Sequence, residues 1–389
     1  MAVTVEELLN KVDDWDIKLV AGQAGIQRFV RWLHMVENKE TTELNEEQAI
    51  AFTTGIGLLE GEDFFGLVKD VYEKDASAMV VNIGPFIESI PNEVIDFCNE
   101  KQFPLVEIPW RVHMANIMHC FSELILESDK EKIILENAVK NALFLPKTKE
   151  VYLPTLEQYQ FKREWSYCIA LVELYDRNDQ AVQEDAYHHI ERILENAMRI
   201  RHKNTAIFMI NNQLVLFVAN RTMRQVKEMM EEMQQKMKTS FLENYQYVWS
   251  VGDCVSSVQQ IAKSYSKAKS TLKLQKKFRE YNKIKYYDDM GIYQILLGVE
   301  DPTVLKVYYE KTLKRIEEYD RVNHTDYYHV LSVYLQCQCS VRDTADHLFM
   351  HRNSVRYKIN KIEEFLHIDL KSQLARTEMM IAFLIKDLN

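Results

Sequence analysis

The chain has 389 residues, 48 Lys plus Arg against 58 Asp plus Glu, a formal net charge of −10 and an apolar fraction of 47%. This length calls for several domains with sizeable cores. The acidity excludes a protein that coats DNA through a uniformly basic surface, so any polyanion site has to be local.

Ten Gly and seven Pro are few, and predict long helices with short connections. The stretch MAVTVEELLNKVDDWD is acidic and has no apolar centre, so no signal peptide is expected. No apolar run approaches the roughly 18 residues of a membrane span. Cys98, Cys120, Cys168, Cys254, Cys337 and Cys339 are scattered and form no CxxC pair, the pattern of reduced thiols in a cytoplasmic protein.

Residues 1–122 read as an α/β domain. Short apolar runs at Arg31–Val36, Ala51–Thr54, Ala78–Ile83 and Pro104–Ile108 alternate with helix-like Phe64–Lys74 and Asn92–Lys101. Such alternation predicts a parallel sheet with both faces covered. Ligands of such sheets bind beyond the carboxyl ends of strands. Thr53, Thr54, Gly55 and Gly84 are therefore the candidate effector-binding residues; the competing reading is a structural strand-to-loop turn. Gly55-Ile56-Gly57 is no GxGxxG, so a dinucleotide fingerprint is absent.

Residues 123–159 read as a connecting helical segment. One apolar stripe, Ile117, Met118, Phe121, Leu124 and Ile125, precedes a charged break at Glu127–Lys132, and Leu135, Val139, Ala142 and Leu143 form a second. The segment is either a signalling helix that pairs with a second subunit or two helices packed on their own domains.

Residues 160–290 give the order β-α-β-β-α-β, then a further helix and strand, with Asn211-Asn212 as a tight turn between the central strands. That order predicts a ferredoxin-like domain. Nucleotide-cyclase palms share this topology, so an enzyme or a nucleotide-binding protein is one alternative. A cyclase needs carboxylates for Mg²⁺ and a glycine-rich bend at the central hairpin. Ile210-Asn211-Asn212-Gln213-Leu214 has neither. No catalytic residues and no cofactor are expected.

Residues 291–324 read as a helical connector and residues 325–389 as a helix-turn-helix domain. Val341, Ala345 and Leu348 form one stripe; Val355, Ile359, Ile362 and Leu366 form another. About five residues, Phe349–Asn353, separate them, which dictates a sharp corner. Ser340 with Asp343 three residues on marks the start of the first helix. Between His351 and Lys361 lie four Lys or Arg and no Asp or Glu, a local reversal of the chain's sign. Asn353, Arg356 and Tyr357 are the candidates for base contact, and Arg352, Ser354, Lys358 and Lys361 for the phosphate backbone of double-stranded DNA. The competing readings are a solvated basic face and a helical hairpin that binds protein. His347 and His351 straddle the corner, and no HExxH exists, so no metal site is expected.

The run H-R-N-S-V-R-Y-K-I, with Ala345 upstream and I-E-E-F-L-H-I-D-L downstream, closely resembles the C-terminal helix-turn-helix of the PucR/CdaR-type bacterial transcription regulators. One departure is Cys337-Gln338-Cys339, where that family has a small or glycine-containing joint. V-R-W-L-H-M-V-E (Val30–Glu37) and F-T-T-G (Phe52–Gly55) resemble the same family's N-terminal domain, and Gly252-Asp253 with Ala262–Leu272 its middle one. The resemblance implies a sensory N-terminal domain, a GGDEF-like middle domain that here lacks the GGDEF signature, and a DNA-binding head. It further implies a cytoplasmic transcription regulator, nucleoid-associated when on DNA. Such a regulator answers an unidentified small-molecule effector and works as a homodimer or higher homo-oligomer.

Overall fold

The computed structural model describes residues 3–60, 63–178, 180, 182, 184–201, 204–240, 245–299 and 301–388. They divide into two units, Met1–Asn141 with Glu150–Gln160, and Ala142–Lys149 with Phe161–Asn389.

The first unit runs β1 (Val3–Thr4), α1 (Val5–Lys11), β2 (Lys18–Ala21), β3 (Phe29–Val30), β4 (Trp32–Met35), α2 (Lys39–Glu43), β5 (Ala49–Thr53), α3 (Phe64–Glu73), β6 (Ala78–Ile83), α4 (Asn92–Glu100) and β7 (Leu105–Pro109), then enters α5 (Met114–Phe144). The sheet order is β2-β7-β6-β5-β4. Strands β4 to β7 are parallel, as the alternation of apolar runs and helices dictates. All five residues of β5 are buried, because both faces are covered. Leu67, Val71, Val94 and Cys98 of α3 and α4 pack on Ala51, Met79 and Val81. Leu8 of α1 and Ile117 and Phe121 of α5 pack on Ile50, Phe52 and Val80.

The expectation of a purely parallel sheet is corrected at one edge: β2 pairs antiparallel with β7. The strand is only Lys-Leu-Val-Ala and half-exposed, so it forms no apolar run. It precedes the first crossover helix, so no βαβ handedness constrains its direction. The charged stretch Glu127–Lys132 does not break α5, which is one helix of 31 residues. Glu and Lys are good helix formers, and this part of α5 lies in solvent, with Leu126 and Ile133 exposed on it.

After α6 (Lys149–Gln158), the middle region runs β8 (Tyr167–Tyr175), α7 (Glu184–Arg201), β9 (Thr205–Ile210), β10 (Gln213–Ala219), α8 (Met223–Ser240), β11 (Gln246–Val251), α9 (Ile261–Lys277) and β12 (Lys283–Tyr286). Its sheet is mixed, in the order β12-β11-β8-β10-β9, antiparallel except for β11 with β12. Asn211 and Asn212 both take positive φ, the backbone of a tight two-residue hairpin. Tyr187, Ile190 and Leu194 of α7 and Met229, Met230 and Met233 of α8 pack with Ala170, Val172 and Leu216 on one face. Helix α9 packs on β8 and β11.

The remainder is all helical: α10 (Ile292–Leu297), α11 (Pro302–Thr312), α12 (Lys314–Asn323), α13 (Tyr327–Gln336), α14 (Val341–Leu348), α15 (Arg352–Leu366) and α16 (Gln373–Lys386). Leu313 and Ile316, in the stretch read as a connector, share a core with Val330, Leu331, Val355 and Ile362. Met379 and Ala382 close that core, while Leu374 and Met380 of the same helix stay exposed.

Candidate nucleic-acid interface

Three residues, Phe349–His351, turn the chain between α14 and α15. Ser340 caps α14 by accepting from the Asp343 amide at 3.3 Å. The helix stops where Phe349 goes left-handed (φ 52°). His351 then caps α15, its Nδ1 accepting from the Asn353 amide at 3.2 Å. Val355, Ile359 and Ile362 are buried with Ala345 in one core, which fixes the rotation of α15 about its axis.

That rotation sends the other side of α15 into solvent. Arg352, Asn353, Ser354, Arg356, Tyr357 and Asn360 are all exposed, Tyr357 at 60%. Among the described residues, neither guanidinium of Arg352 or Arg356 has an ion-pair or hydrogen-bond partner. The two lysines differ. Lys361 pairs with Glu364 at 2.7 Å, and that neighbour holds its ammonium above the ordinary value. Lys358 lies against both oxygens of Asp326, at 2.5 and 2.6 Å. It ties α15 to the start of α13 and reaches a phosphate only by leaving that carboxylate.

One residue of this surface escapes a reading by stripes. Phe349 is 98% exposed at the corner itself, an apolar ring wholly in water. The available signal was its position outside both apolar stripes. The unusual joint Cys337-Gln338-Cys339 ends α13 by placing Gln338 and Cys339 at φ 52° and 62°, the conformation glycine adopts freely.

The candidate effector residues are held differently. The Glu37 carboxylate accepts from Thr53 Oγ1 (3.0 Å), the Thr54 amide (2.9 Å), Thr54 Oγ1 (2.7 Å) and the Gly55 amide (3.0 Å). The donors at the end of β5 are thus occupied by the chain's own anion. Gly55 has φ +78°, and a Cβ there would come within 2.5 Å of Ile87. A Cβ at Gly84 would come as close to the ring of Trp110. In the middle region the β9–β10 hairpin offers two asparagine amides and no carboxylate. Among the described residues, no group of three or more His, Cys, Asp or Glu is placed to hold a metal ion. No helix among them is long and apolar enough to cross a membrane.

Comparison with known proteins adds to this geometry. Residues 8–125 match the Purine catabolism regulatory protein-like family, residues 155–274 a GGDEF-like domain, and residues 327–385 the PucR C-terminal helix-turn-helix domain. The proline-responsive transcriptional activator PutR of Bacillus subtilis (strain 168) is 22% identical over 302 residues, covering 76% of this chain and 69% of that protein. The DNA-binding transcriptional activator AdeR of the same organism is 24% identical over 167 residues, 42% of this chain and 39% of AdeR. Its purine catabolism regulatory protein is 38% identical over 87 residues, 22% of this chain and 16% of that protein.

Proposed function

This chain belongs to the PucR-type DNA-binding transcription regulators, and from that premise we propose how it reads DNA and how it is controlled. It is a regulator of transcription and not an enzyme, as its relatives are. Helix α15 enters the major groove, with Asn353, Arg356 and Tyr357 at base edges. Arg352, Ser354, Lys358 and Lys361 hold the backbone, Lys358 by exchanging Asp326 for a phosphate. The observation that carries this reading is the unpartnered, exposed Arg352–Tyr357 face directly above a buried stripe that fixes its direction.

Control begins in a sensory domain, residues 1–122, which answers a small molecule at the loops after β5 and β6, around Thr53, Thr54, Gly55 and Gly84. Residues 123–159 connect it to a ferredoxin-like middle domain, 160–290. The strand order β11-β8-β10-β9 supports that topology. The connector 291–324 leads to the reading head, 325–389. Two copies pair in the cytoplasm, and exposed Leu126 and Ile133 on α5 favour that helix as part of the contact. Pairing sets two copies of α15 on half-sites about 34–36 Å apart, or a multiple of this. PutR and AdeR bear the name of activators, which favours activation here.

Fluorescence anisotropy with DNA from upstream of the chain's own and neighbouring genes, against random competitor at several salt concentrations, tests this. Site-selective binding with a steep salt slope, lost in Arg356→Ala, is the expected result. An unchanged affinity in that variant removes Arg356 from the groove.

A further inference from the structure

Helix α9, IAKSYSKAKSTLKLQKK, carries six lysines and no acidic residue. Its residues Ser266, Lys269, Ser270, Lys273 and Lys276 follow helical spacing and line one side of a cavity of about 490 Å³. That volume suits a small metabolite. The cavity also borders the buried carboxylate of Glu173, which accepts from Tyr175 Oη, Gln213 Nε2 and, at 2.8 Å, Lys276 Nζ. Lys276 thereby compensates the Glu173 charge and leaves the other two ammonium groups of the lining without a carboxylate. Among the described residues, Lys269 has no hydrogen-bond or ion-pair partner. Three ammonium groups and one carboxylate give the lining a formal charge of +2.

Lys273 has a second engagement. Its Nζ donates to the backbone carbonyl of Leu388 at 2.9 Å, and Lys277 Nζ to that of Lys386 at 3.0 Å. These carbonyls lie at the end of α16, where the helix exposes acceptors and carries the negative end of its dipole. Leu388 packs against Leu274, Tyr287 and Met290 beside them, and Tyr293 Oη donates to Asp387 at 2.9 Å. The closing helix of the DNA-reading bundle is therefore docked on α9 through a lysine that also lines the cavity.

We propose that this cavity binds a small polyanionic metabolite bearing a phosphate or diphosphate group, and that its occupation draws Lys273 away from Leu388 and loosens the reading head from the middle domain. A phosphate dianion is a stronger acceptor for an ammonium than a neutral carbonyl. Ser266 and Ser270 supply hydroxyl donors beside the lysines. The binding claim stands without the DNA reading, and the coupling claim rests on it.

Isothermal titration of the full-length chain with inorganic pyrophosphate, against chloride at matched ionic strength, tests the site. Saturable binding is expected, weakened about tenfold or more in Lys269→Gln and retained in Lys269→Arg. No saturable heat, or equal affinity in wild type and Lys269→Gln, overturns it. Lys269 is exposed, so the variant folds, and its unchanged thermal melt without ligand checks this. Hydrogen exchange tests the coupling without DNA. Amides near the end of α16 should exchange faster when pyrophosphate saturates the wild type, and as fast in Lys273→Gln without it. Exchange that does not respond to saturation overturns the coupling and leaves the site standing. Failure of every DNA to bind reports on the function of α15, not on this cavity.

Discussion

The loop after β5 and the outer face of α15 are both rich in polar donors, and they end in opposite states. At Thr53-Thr54-Gly55 every donor toward the strand end meets the Glu37 carboxylate. At Arg352–Tyr357 the guanidinium groups are exposed and have no partner among the described residues. A donor satisfied within the chain holds the fold together, because removing its acceptor strands a desolvated group. A donor left to water contributes little to folding and is available to a partner. Loss of the Glu37 carboxylate therefore acts first on stability, and loss of an Arg352 or Arg356 guanidinium on recognition.

The largest expected effect is at Glu37. Glu37→Ala removes an acceptor from four donors at a strand end where Thr53 is fully buried, the Gly55 amide alone keeping a second acceptor in Thr53 Oγ1, and should destabilise the N-terminal unit by about 3 kcal/mol. A urea titration followed by tryptophan fluorescence reads this, and a shift under about 0.5 kcal/mol erases the contrast. Next comes Arg356→Ala, which should lose about 1–3 kcal/mol of specific binding with no change in the unfolding midpoint. Smaller effects separate the two lysines. Lys361→Ala should shallow the salt slope by about one. Lys358→Ala should shallow it by less, since leaving Asp326 offsets what the phosphate gives, and should also lower bundle stability by under about 1 kcal/mol.

The last test is pH. Burial pushes the Glu317 carboxyl up, but hydrogen bonds from Lys386 and Tyr309 outweigh it and hold the group below its ordinary value. An acid whose folded pKa is lowered adds stability that is complete above its unfolded value, about 4.3. That stability is lost as pH falls from there through the lowered value. Acid titration of helicity should show this loss in wild type and a flatter acid limb in Glu317→Gln.

Much of the fold is legible in the sequence because its signals are local. The stripes Val341-Ala345-Leu348 and Val355-Ile359-Ile362 set the helix-turn-helix, and the buried strands β5 and β6 stand out as apolar runs. Elements with few buried residues leave no such mark. The two-residue pair β1–β3 and the short edge β2 are held by neighbours rather than by their own composition. The charged middle of α5 reads as a break only if helix continuity is equated with an unbroken apolar stripe. At the candidate sites the residue types were legible but their partners were not. Glu37 lies 16 to 18 positions from the donors it holds, and Asp326 lies 32 from Lys358. Such pairs exist only once the tertiary fold has brought them together.

The ring of Phe349, 98% exposed at the corner between α14 and α15, has a thermodynamic consequence for whatever covers it. Exposed apolar surface orders water and raises the heat capacity of the free protein. A complex that dries this ring has a lower heat capacity than its parts. The binding enthalpy then becomes more favourable as temperature rises, and calorimetry at several temperatures, wild type beside Phe349→Ser, measures how much of that slope one side chain carries.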